Sequence, residues 1–183
     1  MNARKWLNAG VLAVVCAASA PRAAVLPVEP REDVNAQAAF DRLRSLQGTW
    51  EGETRANEKA TTTFELTANG TVIIERYGNP AMPGGGRMVT AYHLDGTSLL
   101  LTHYCIANNQ PTLRAERFDP KSGEIQFEFL RASNLPDAKA GHMRRALYRL
   151  DDADHFTTSW EFFEGGQKTM TEVERFTRAR SGH

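Results

Sequence analysis

The chain has 183 residues, with 22 basic and 22 acidic side chains that give no formal net charge. This length suffices for one domain with a hydrophobic core. The balanced charge gives no electrostatic basis for binding nucleic acid or an anionic membrane surface. After residue 24 the sequence has no apolar segment long enough to cross a bilayer as a helix, so we expect no transmembrane segment.

Residues 1–24 have the pattern of a secretory signal peptide. Arg4 and Lys5 precede an uncharged apolar run, and small residues near position 20 are typical of a cleavage site. We therefore expect export to the periplasm or the extracellular space. Cys16 lies within this run, but Val15 stands where a lipid-attachment motif needs a small residue, so we expect no lipid anchor.

Removal of residues 1–24 would leave 19 basic and 22 acidic side chains and one cysteine, Cys105. A single thiol forms no internal disulfide, so apolar burial must hold the domain together. Residues 25–33 contain two prolines and are expected to form an extended lead-in. The domain itself is expected to span residues 34–183.

A helix is predicted over residues 34–46, where apolar side chains recur on one side. Asp33 is the expected cap of its first turn, and Gly48 is the expected end signal. We expect this helix to pack across the open end of a sheet.

From Gly48 onward, apolar residues alternate with a period of two, which is typical of strands. Asn69-Gly70 and Asp95-Gly96 favour two-residue hairpins. An open meander of ten strands would expose two edges, so we predict an all-β, antiparallel up-and-down barrel preceded by one helix. The predicted strands are residues 48–56, 61–68, 71–77, 88–94, 98–106, 112–118, 124–131, 142–150, 156–163 and 168–177.

Residues 48–52 (Gly-Thr-Trp-Glu-Gly) directly follow the predicted helix. They resemble the Gly-x-Trp opening of the calycin superfamily, which includes lipocalins and fatty-acid-binding proteins. The resemblance implies that Trp50 plugs one barrel end and stacks on an arginine of the last strand, either Arg175 or Arg178. Such stacking is physically sound, because a guanidinium lies favourably on an indole face.

Two further resemblances involve longer motifs. Residues 102–105 (Thr-His-Tyr-Cys) together with residues 109–111 (Asn-Gln-Pro) resemble a bacterial exported lipocalin-like family of uncharacterised function. That resemblance covers nearly the whole chain after residue 24 and implies a fold without an activity. More distantly, residues 48–53 resemble the opening of nitrobindin-type haem barrels, which makes haem an alternative cofactor.

A ligand pocket is predicted at the far end of the strand that begins at Leu99. His103 and Cys105 share one face of this strand with Leu99 and Leu101. Aromatic walls with a few fixed polar groups are typical of pockets for small, partly apolar molecules, and Trp50 and the helix would form the floor. The predicted ligand contacts are His103, Cys105, Asn109, Gln110, Arg114, Phe127, Phe129, Tyr148, Trp160 and Phe162.

Other interpretations of this cluster stay open. Contact between the thiol of Cys105 and the imidazole of His103 would suit Cys–His catalysis, although no third member or oxyanion hole is visible. Haem would need an axial histidine in an apolar cavity, and the candidates are His103, His142 and His155. No metal site is predicted, because the histidines are scattered and a metal needs three or four ligands.

The simplest alternative gives the cluster no ligand. In that interpretation Asn109 and Gln110 satisfy backbone groups of a loop at the barrel end. Of the two longer connections, residues 78–87 would form a flexible lip of the barrel, and residues 132–141 would form a second loop. The glycine run at residues 84–86 lacks the lysine of a phosphate-binding loop, so we predict no phosphate site there. The sequence gives no indication of the oligomeric state.

Overall fold

The computed structural model describes residues 34–180, and the predicted signal peptide and lead-in lie outside the described residues. Within this range the helix α1 (Ala36–Arg44) precedes ten strands. They are β1 (Gly48–Thr54), β2 (Lys59–Thr67), β3 (Val72–Gly78), β4 (Met88–Asp95), β5 (Ser98–Tyr104), β6 (Gln110–Asp119), β7 (Glu124–Ser133), β8 (His142–Leu150), β9 (His155–Glu164) and β10 (Gln167–Arg178).

The ten strands form one closed antiparallel barrel. Each strand pairs with its neighbours in sequence, and β1 closes the sheet by pairing with β10. In this last pair Trp50 lies opposite Arg178, and Thr54 lies opposite Glu174. Closure gives every strand two partners, which removes the free edges of an open meander. The predicted all-β barrel with one preceding helix is confirmed.

The ends of α1 differ from the prediction. The cap is Asn35, whose side-chain oxygen accepts a hydrogen bond from the backbone N–H of Ala38 at 3.0 Å. Asp33, the predicted cap, lies outside the described residues. The helix ends at Arg44, and Gly48 opens β1 instead of ending the helix. Among residues 34–180, no helix has the length and apolar character needed to cross a membrane.

Two predicted hairpin turns are also corrected. Ala68, Asn69 and Gly70 all adopt positive φ and form a short 3-10 turn, so residues 68–71 connect β2 to β3. This four-residue connection replaces the predicted two-residue turn at Asn69-Gly70. In the β4–β5 hairpin Asp95 still pairs with Ser98, so the tight turn is residues 96–97 and begins one residue later than predicted.

Trp50 and α1 fill one end of the barrel. The Trp50 side chain is fully buried, and its indole N–H donates to the carbonyl of Leu46 at 2.7 Å. Phe156 meets the indole edge to face, with 4.8 Å between the ring centroids. Phe40 and Leu43 of α1 belong to the same apolar core. Burial of these large side chains is the main stabilising contribution at this end.

Arg178 completes this closed end. Its guanidinium lies 4.1 Å from the centroid of the Trp50 ring, so the structure selects Arg178 from the two arginines that the resemblance allowed. The same guanidinium donates hydrogen bonds to the carbonyls of Ser45, Gln47 and Ala153. One side chain therefore joins the last strand to the α1–β1 junction and to the β8–β9 turn.

We expect Arg178→Lys to lower the free energy of unfolding by roughly 1–2 kcal/mol, because lysine keeps the charge but loses the flat stacking and most of the hydrogen bonds. Urea denaturation monitored by circular dichroism measures this change. Arg175→Lys is the matched control, since Arg175 is exposed and a surface change of this kind costs about 0.5 kcal/mol or less. Equal losses in the two variants would contradict the role of Arg178.

Candidate functional site

The barrel opens at the end opposite α1. Since β1 runs away from α1 and the strands alternate in direction, the connections after β1, β3, β5, β7 and β9 all lie at this open end. A cavity of about 130 Å³ lies beneath them. The residues that line it come mainly from β3, β4, β5, β8, β9 and β10 and from the connections at the mouth.

His103 provides a buried polar group of the cavity wall with one nitrogen that has no protein partner. On β5 it follows Leu99 and Leu101 on the inward face, and all three side chains are buried. Its Nδ1 lies 2.9 Å from the hydroxyl oxygen of Thr90, which is its register partner on β4. Its ring packs against Trp160, with 4.8 Å between the centroids.

The other ring nitrogen of His103, Nε2, is buried without a hydrogen-bond partner. Burial lowers the pKa of His103 to about 4, because the charged imidazolium is poorly solvated there. The ring is therefore neutral at pH 7. Because buried polar atoms in proteins are nearly always satisfied, a neutral nitrogen left free on a cavity wall is a group suited to a ligand.

A second polar group lies deeper in the barrel, around Glu75 of β3. Its Oε2 lies 2.5 Å from the hydroxyl oxygen of Tyr92 and 3.0 Å from that of Tyr148. The two hydroxyl oxygens lie 2.6 Å from each other. Thr62 donates to Oε1 of the same carboxyl group at 3.0 Å. The three strands β3, β4 and β8 are thus connected across the interior.

Counting protons indicates the charge state of this cluster. Glu75, Tyr92 and Tyr148 form a triangle of three short oxygen–oxygen contacts, but the two phenols supply only two protons. A protonated Glu75 supplies the third. Burial raises the pKa of Glu75 and is the largest influence on it, in agreement with the neutral form. The triangle is therefore a neutral, fully hydrogen-bonded layer beneath the cavity.

Glu174 of β10 is a third polar group on the cavity wall, and it is buried. The hydroxyl of Tyr77 donates to Oε1, and the hydroxyl of Thr158 lies 3.4 Å from Oε2. The pKa of Glu174 is raised to about 7, mainly by burial and in part by the negative charge of nearby Glu172. This group is consequently half-protonated near neutral pH, where small electrostatic changes shift its charge.

Only some predicted ligand contacts lie at the cavity. His103 and Trp160 line it. Tyr148 lies below it in the Glu75 triangle. Phe127 is fully buried beside Tyr148, with 6.1 Å between the ring centroids, and does not reach the cavity. The predicted contacts in the barrel interior therefore belong to two layers, of which only the upper one meets the cavity.

The residues after β5 follow a different course from the prediction. Because β5 ends at Tyr104, Cys105 belongs to the next turn, and its N–H donates to the carbonyl of Asn109 at 3.2 Å. The Asn109 side chain donates to the carbonyl of Gly141 at 2.7 Å, which is the loop contact that the simplest alternative predicted. Gln110 opens β6 opposite Ser133. These residues hold two connections together at the barrel end and do not line the cavity.

The other predicted contacts also lie away from the cavity. Arg114 alternates with inward-facing Leu113, so it points outward and forms an ion pair with Glu116. Phe129 packs against the ring of His142, with 4.8 Å between the centroids. Phe162 is half-buried and packs against the apolar core.

The sequence analysis missed most of the cavity wall. The missed residues are four glutamates, four methionines, Tyr77, Asn79 and Thr90. A signal for two of them exists in the sequence. Glu75 has Ile73 and Tyr77 two positions away, and Glu174 has Phe176 two positions away, so each shares the inward face of its strand.

The site is a mainly apolar pocket with several polar groups. The residues that the structure describes form no evident metal centre. Within the described part of the chain, no three side chains of His, Cys, Asp or Glu come together as metal ligands. Cys105 is a free thiol, and burial raises its pKa. Nδ1 of His103 lies against the hydroxyl of Thr90, and Nε2 has no hydrogen-bond partner. Neither nitrogen bonds to the thiol of Cys105, so the imidazole does not activate it.

The fold and the cavity define a closed ten-stranded antiparallel β-barrel with a cavity beneath its open end. The crystal structure of Rv2717c from M. tuberculosis is similar to this chain with a TM-score of 0.58 and 15% sequence identity, over 78% of this chain and 98% of that one. At this identity the likeness shows a shared fold and nothing more. No protein-family model and no curated protein matches the sequence.

Two weaker structural likenesses carry no argument. A protein of unknown function from the DUF3598 family of Nostoc punctiforme has a TM-score of 0.40 and 8% identity, over 75% of this chain and 49% of that one. EF1p2_mFAP2b bound to DFHBI has a TM-score of 0.32 and 8% identity, over 77% of this chain and 99% of that one.

The pKa shifts of Glu174 and His103 predict opposite pH dependences of stability. Folding raises the pKa of Glu174 from 4.5 to about 7, so its stabilising contribution is complete below pH 4.5 and is lost as the pH rises to about 7. Folding lowers the pKa of His103 from 6.5 to about 4, so its contribution is complete above pH 6.5 and is lost as the pH falls to about 4.

Between about pH 4.5 and 6.5 the two effects oppose each other, and each substitution removes one of them. Relative to the unmodified protein, we expect the free energy of unfolding of His103→Gln to fall by roughly 3 kcal/mol from pH 4 to 6.5, and that of Glu174→Gln to rise by a similar amount from pH 4.5 to 7. Urea denaturation at several pH values measures both slopes. Identical profiles for the two variants would contradict the assignment.

Proposed function

We propose that the protein binds a small, partly apolar molecule inside the barrel and acts as a carrier or a sensor for it. The observation that carries this proposal is the free Nε2 of His103, which is buried on the wall of the cavity. An unsatisfied buried polar atom costs about 1–3 kcal/mol, and a ligand in the cavity can offset this cost at His103. The similarly unpartnered Nε2 of His142 belongs to a residue that does not line the cavity.

The volume of the cavity limits the size of the ligand. Its volume of about 130 Å³ is close to the roughly 150 Å³ of an engineered apolar cavity that holds one benzene molecule. The wall combines the indole of Trp160 and the thioethers of Met88 and Met143 with the imidazole of His103. A molecule with one ring or a short branched chain and one polar group matches this wall.

We further infer that the protein works outside the cytoplasm, on the basis of the signal-peptide pattern of residues 1–24. Mass spectrometry of the protein from the periplasmic or extracellular fraction tests this inference. The expected result is a mature protein that begins between residues 21 and 25. Full-length protein found only in the cytoplasm would contradict it.

Haem is the second candidate, and the observation in its favour is the same neutral, unpartnered Nε2 of His103, which has the properties of an axial ligand. The cavity volume weighs against it, since a tetrapyrrole is several times larger than one benzene ring. The carboxyl groups of the wall weigh against it as well, because haem carries its own negative propionates. A Soret shift on titration with haem that disappears in His103→Ala would favour haem binding, and no shift would exclude it.

A Cys–His enzyme is the remaining alternative, and the thiol tests it. Burial raises the pKa of Cys105, so we expect iodoacetamide to alkylate it at pH 7.5 more slowly than it alkylates free cysteine. Mass spectrometry over time measures the rate. Alkylation several times faster than that of free cysteine would indicate an activated nucleophile and would contradict the binding proposal.

The lumen-binding proposal itself predicts saturable binding of benzyl alcohol, a neutral molecule that suits the cavity. We expect binding to change the fluorescence of Trp160, which lines the cavity, and not that of Trp50, which lies at the closed end. Trp160→Phe should abolish the change, and Trp50→Phe should keep it. Absence of a saturable heat in calorimetry, together with unchanged fluorescence, would contradict binding in the lumen.

A further inference from the structure

We propose that the ligand of this cavity is a cation, namely a protonated organic amine whose apolar part has about the size of one ring. This inference rests on the proposed function, because it names the chemical class of the molecule that the lumen binds. Three features carry it: the charge of the wall, the free acceptor on His103, and the polarizable groups that surround both.

The cavity wall carries acidic groups without a basic partner among them. Four of the residues that line it are glutamates, and none is lysine or arginine. Glu75 is neutral within its hydrogen-bonded triangle, which leaves Glu58, Glu172 and Glu174 as the carboxyl groups that a cation would meet. Exposed Arg55 lies outside the cavity wall; its backbone N–H donates to Glu172, and its charge lowers the pKa of that carboxyl.

The carboxyl groups of the wall are only partly satisfied by the protein. Glu58 accepts one hydrogen bond from Asn79 at 3.2 Å, and Oε1 of Glu172 is buried without a partner. Glu174 accepts hydrogen bonds from Tyr77 and Thr158, but no positive charge compensates it. Buried carboxylates are ordinarily paired with a base, so the missing positive charge is one that a ligand can supply.

His103 is the second, independent observation. When Nδ1 carries the proton and donates it to the hydroxyl of Thr90, Nε2 is an unpartnered acceptor on a residue that lines the cavity. An ammonium group has up to three N–H donors and no acceptor, so it satisfies this nitrogen and the carboxylates together. The low pKa of His103 keeps the ring neutral, so it does not repel a cation.

The remaining wall suits a cation as well. The face of an indole attracts a positive charge through its quadrupole, and Trp160 lines the cavity beside His103. Thioether sulfurs are polarizable, and four methionines contribute to the wall: Met82, Met88, Met143 and Met170. An anion would instead be buried next to carboxylates with no base to pair with it.

Binding of a cation should be coupled to proton release. The titratable groups around Glu174 are Tyr77 and Glu75 on β3 and Glu172 on β10, while its neighbours on β1 and β9 are the uncharged Thr54 and Thr158. A positive charge placed among these groups favours the ionised carboxylate. An amine that binds at pH 7 should therefore displace part of a proton from Glu174.

The test compares three probes of similar size by isothermal titration calorimetry at pH 7: benzylamine, which is protonated, benzyl alcohol, which is neutral, and benzoate, which is anionic. We expect benzylamine to bind at least tenfold more tightly than benzyl alcohol, and benzoate to show no binding. Titrations in two buffers with different ionisation enthalpies should show proton release with benzylamine and none with benzyl alcohol.

Glu174→Gln should lower the preference for benzylamine over benzyl alcohol by several-fold and reduce the proton release. The matched control is Glu65→Gln, since Glu65 is exposed on β2 and both values should stay unchanged. Proton release measured on the unmodified protein tests the proposal even if a variant fails to fold.

The possible outcomes separate the two proposals. Equal or tighter binding of benzyl alcohol, or benzylamine binding without proton release at pH 7, would overturn the cation proposal and leave lumen binding intact. Failure of all three probes to bind would overturn both.

Discussion

The stack of Arg178 on Trp50 determines which side chains the interior contains. A barrel of this kind closes only when the first and last strands meet, and the pair Trp50–Arg178 is where the register of that meeting begins. Because side chains alternate along a strand, a slip of one residue would turn Glu174 and Phe176 outward and bring Arg175 inside. The acidic wall of the cavity thus depends on a contact made at the opposite end of the molecule.

The barrel interior changes from apolar to polar along two of its strands, β3 and β5. On β3 the inward residues run from Ile73 to Glu75 and Tyr77, and on β5 they run from Leu99 to His103. The apolar half carries the stability of the domain, and the hydrogen-bonded triangle of Glu75 forms the boundary. The polar half contains buried polar atoms without hydrogen-bond partners and carboxyl groups without a base, and both lower the stability of the fold. Apolar burial in the closed half offsets this loss of free energy.

The sequence predicted the architecture because a period of two over so many residues has few other solutions. The strand limits were close to those observed, and errors fell at turns: Asn69-Gly70 favoured a two-residue turn, but Ala68 adopts positive φ as well and lengthens the connection. Inward-facing residues of regular strands, such as His103 and Trp160, were also accessible to this reasoning. The alternation of side chains between the two faces ends where a strand ends. It therefore could not predict the positions of the side chains after Tyr104.

The acidic wall was harder to foresee. A glutamate in a strand is most often on the solvated face, and only its position two residues from apolar neighbours reveals the inward orientation of Glu75 and Glu174. Their raised pKa values arise from burial and from neighbours that are distant in sequence. Such effects depend on the closed shape of the barrel, which composition and local pattern do not describe.

The end of β10 lies against β1 at the closed end, where the N–H of Ala179 donates to the carbonyl of Thr49 at 2.9 Å. An anchor attached through this end of the chain would therefore leave the molecule on the face opposite the mouth. Coupling to a support, a label or a fused reporter at that point would orient the entrance toward the surrounding solution and leave the route into the lumen unobstructed.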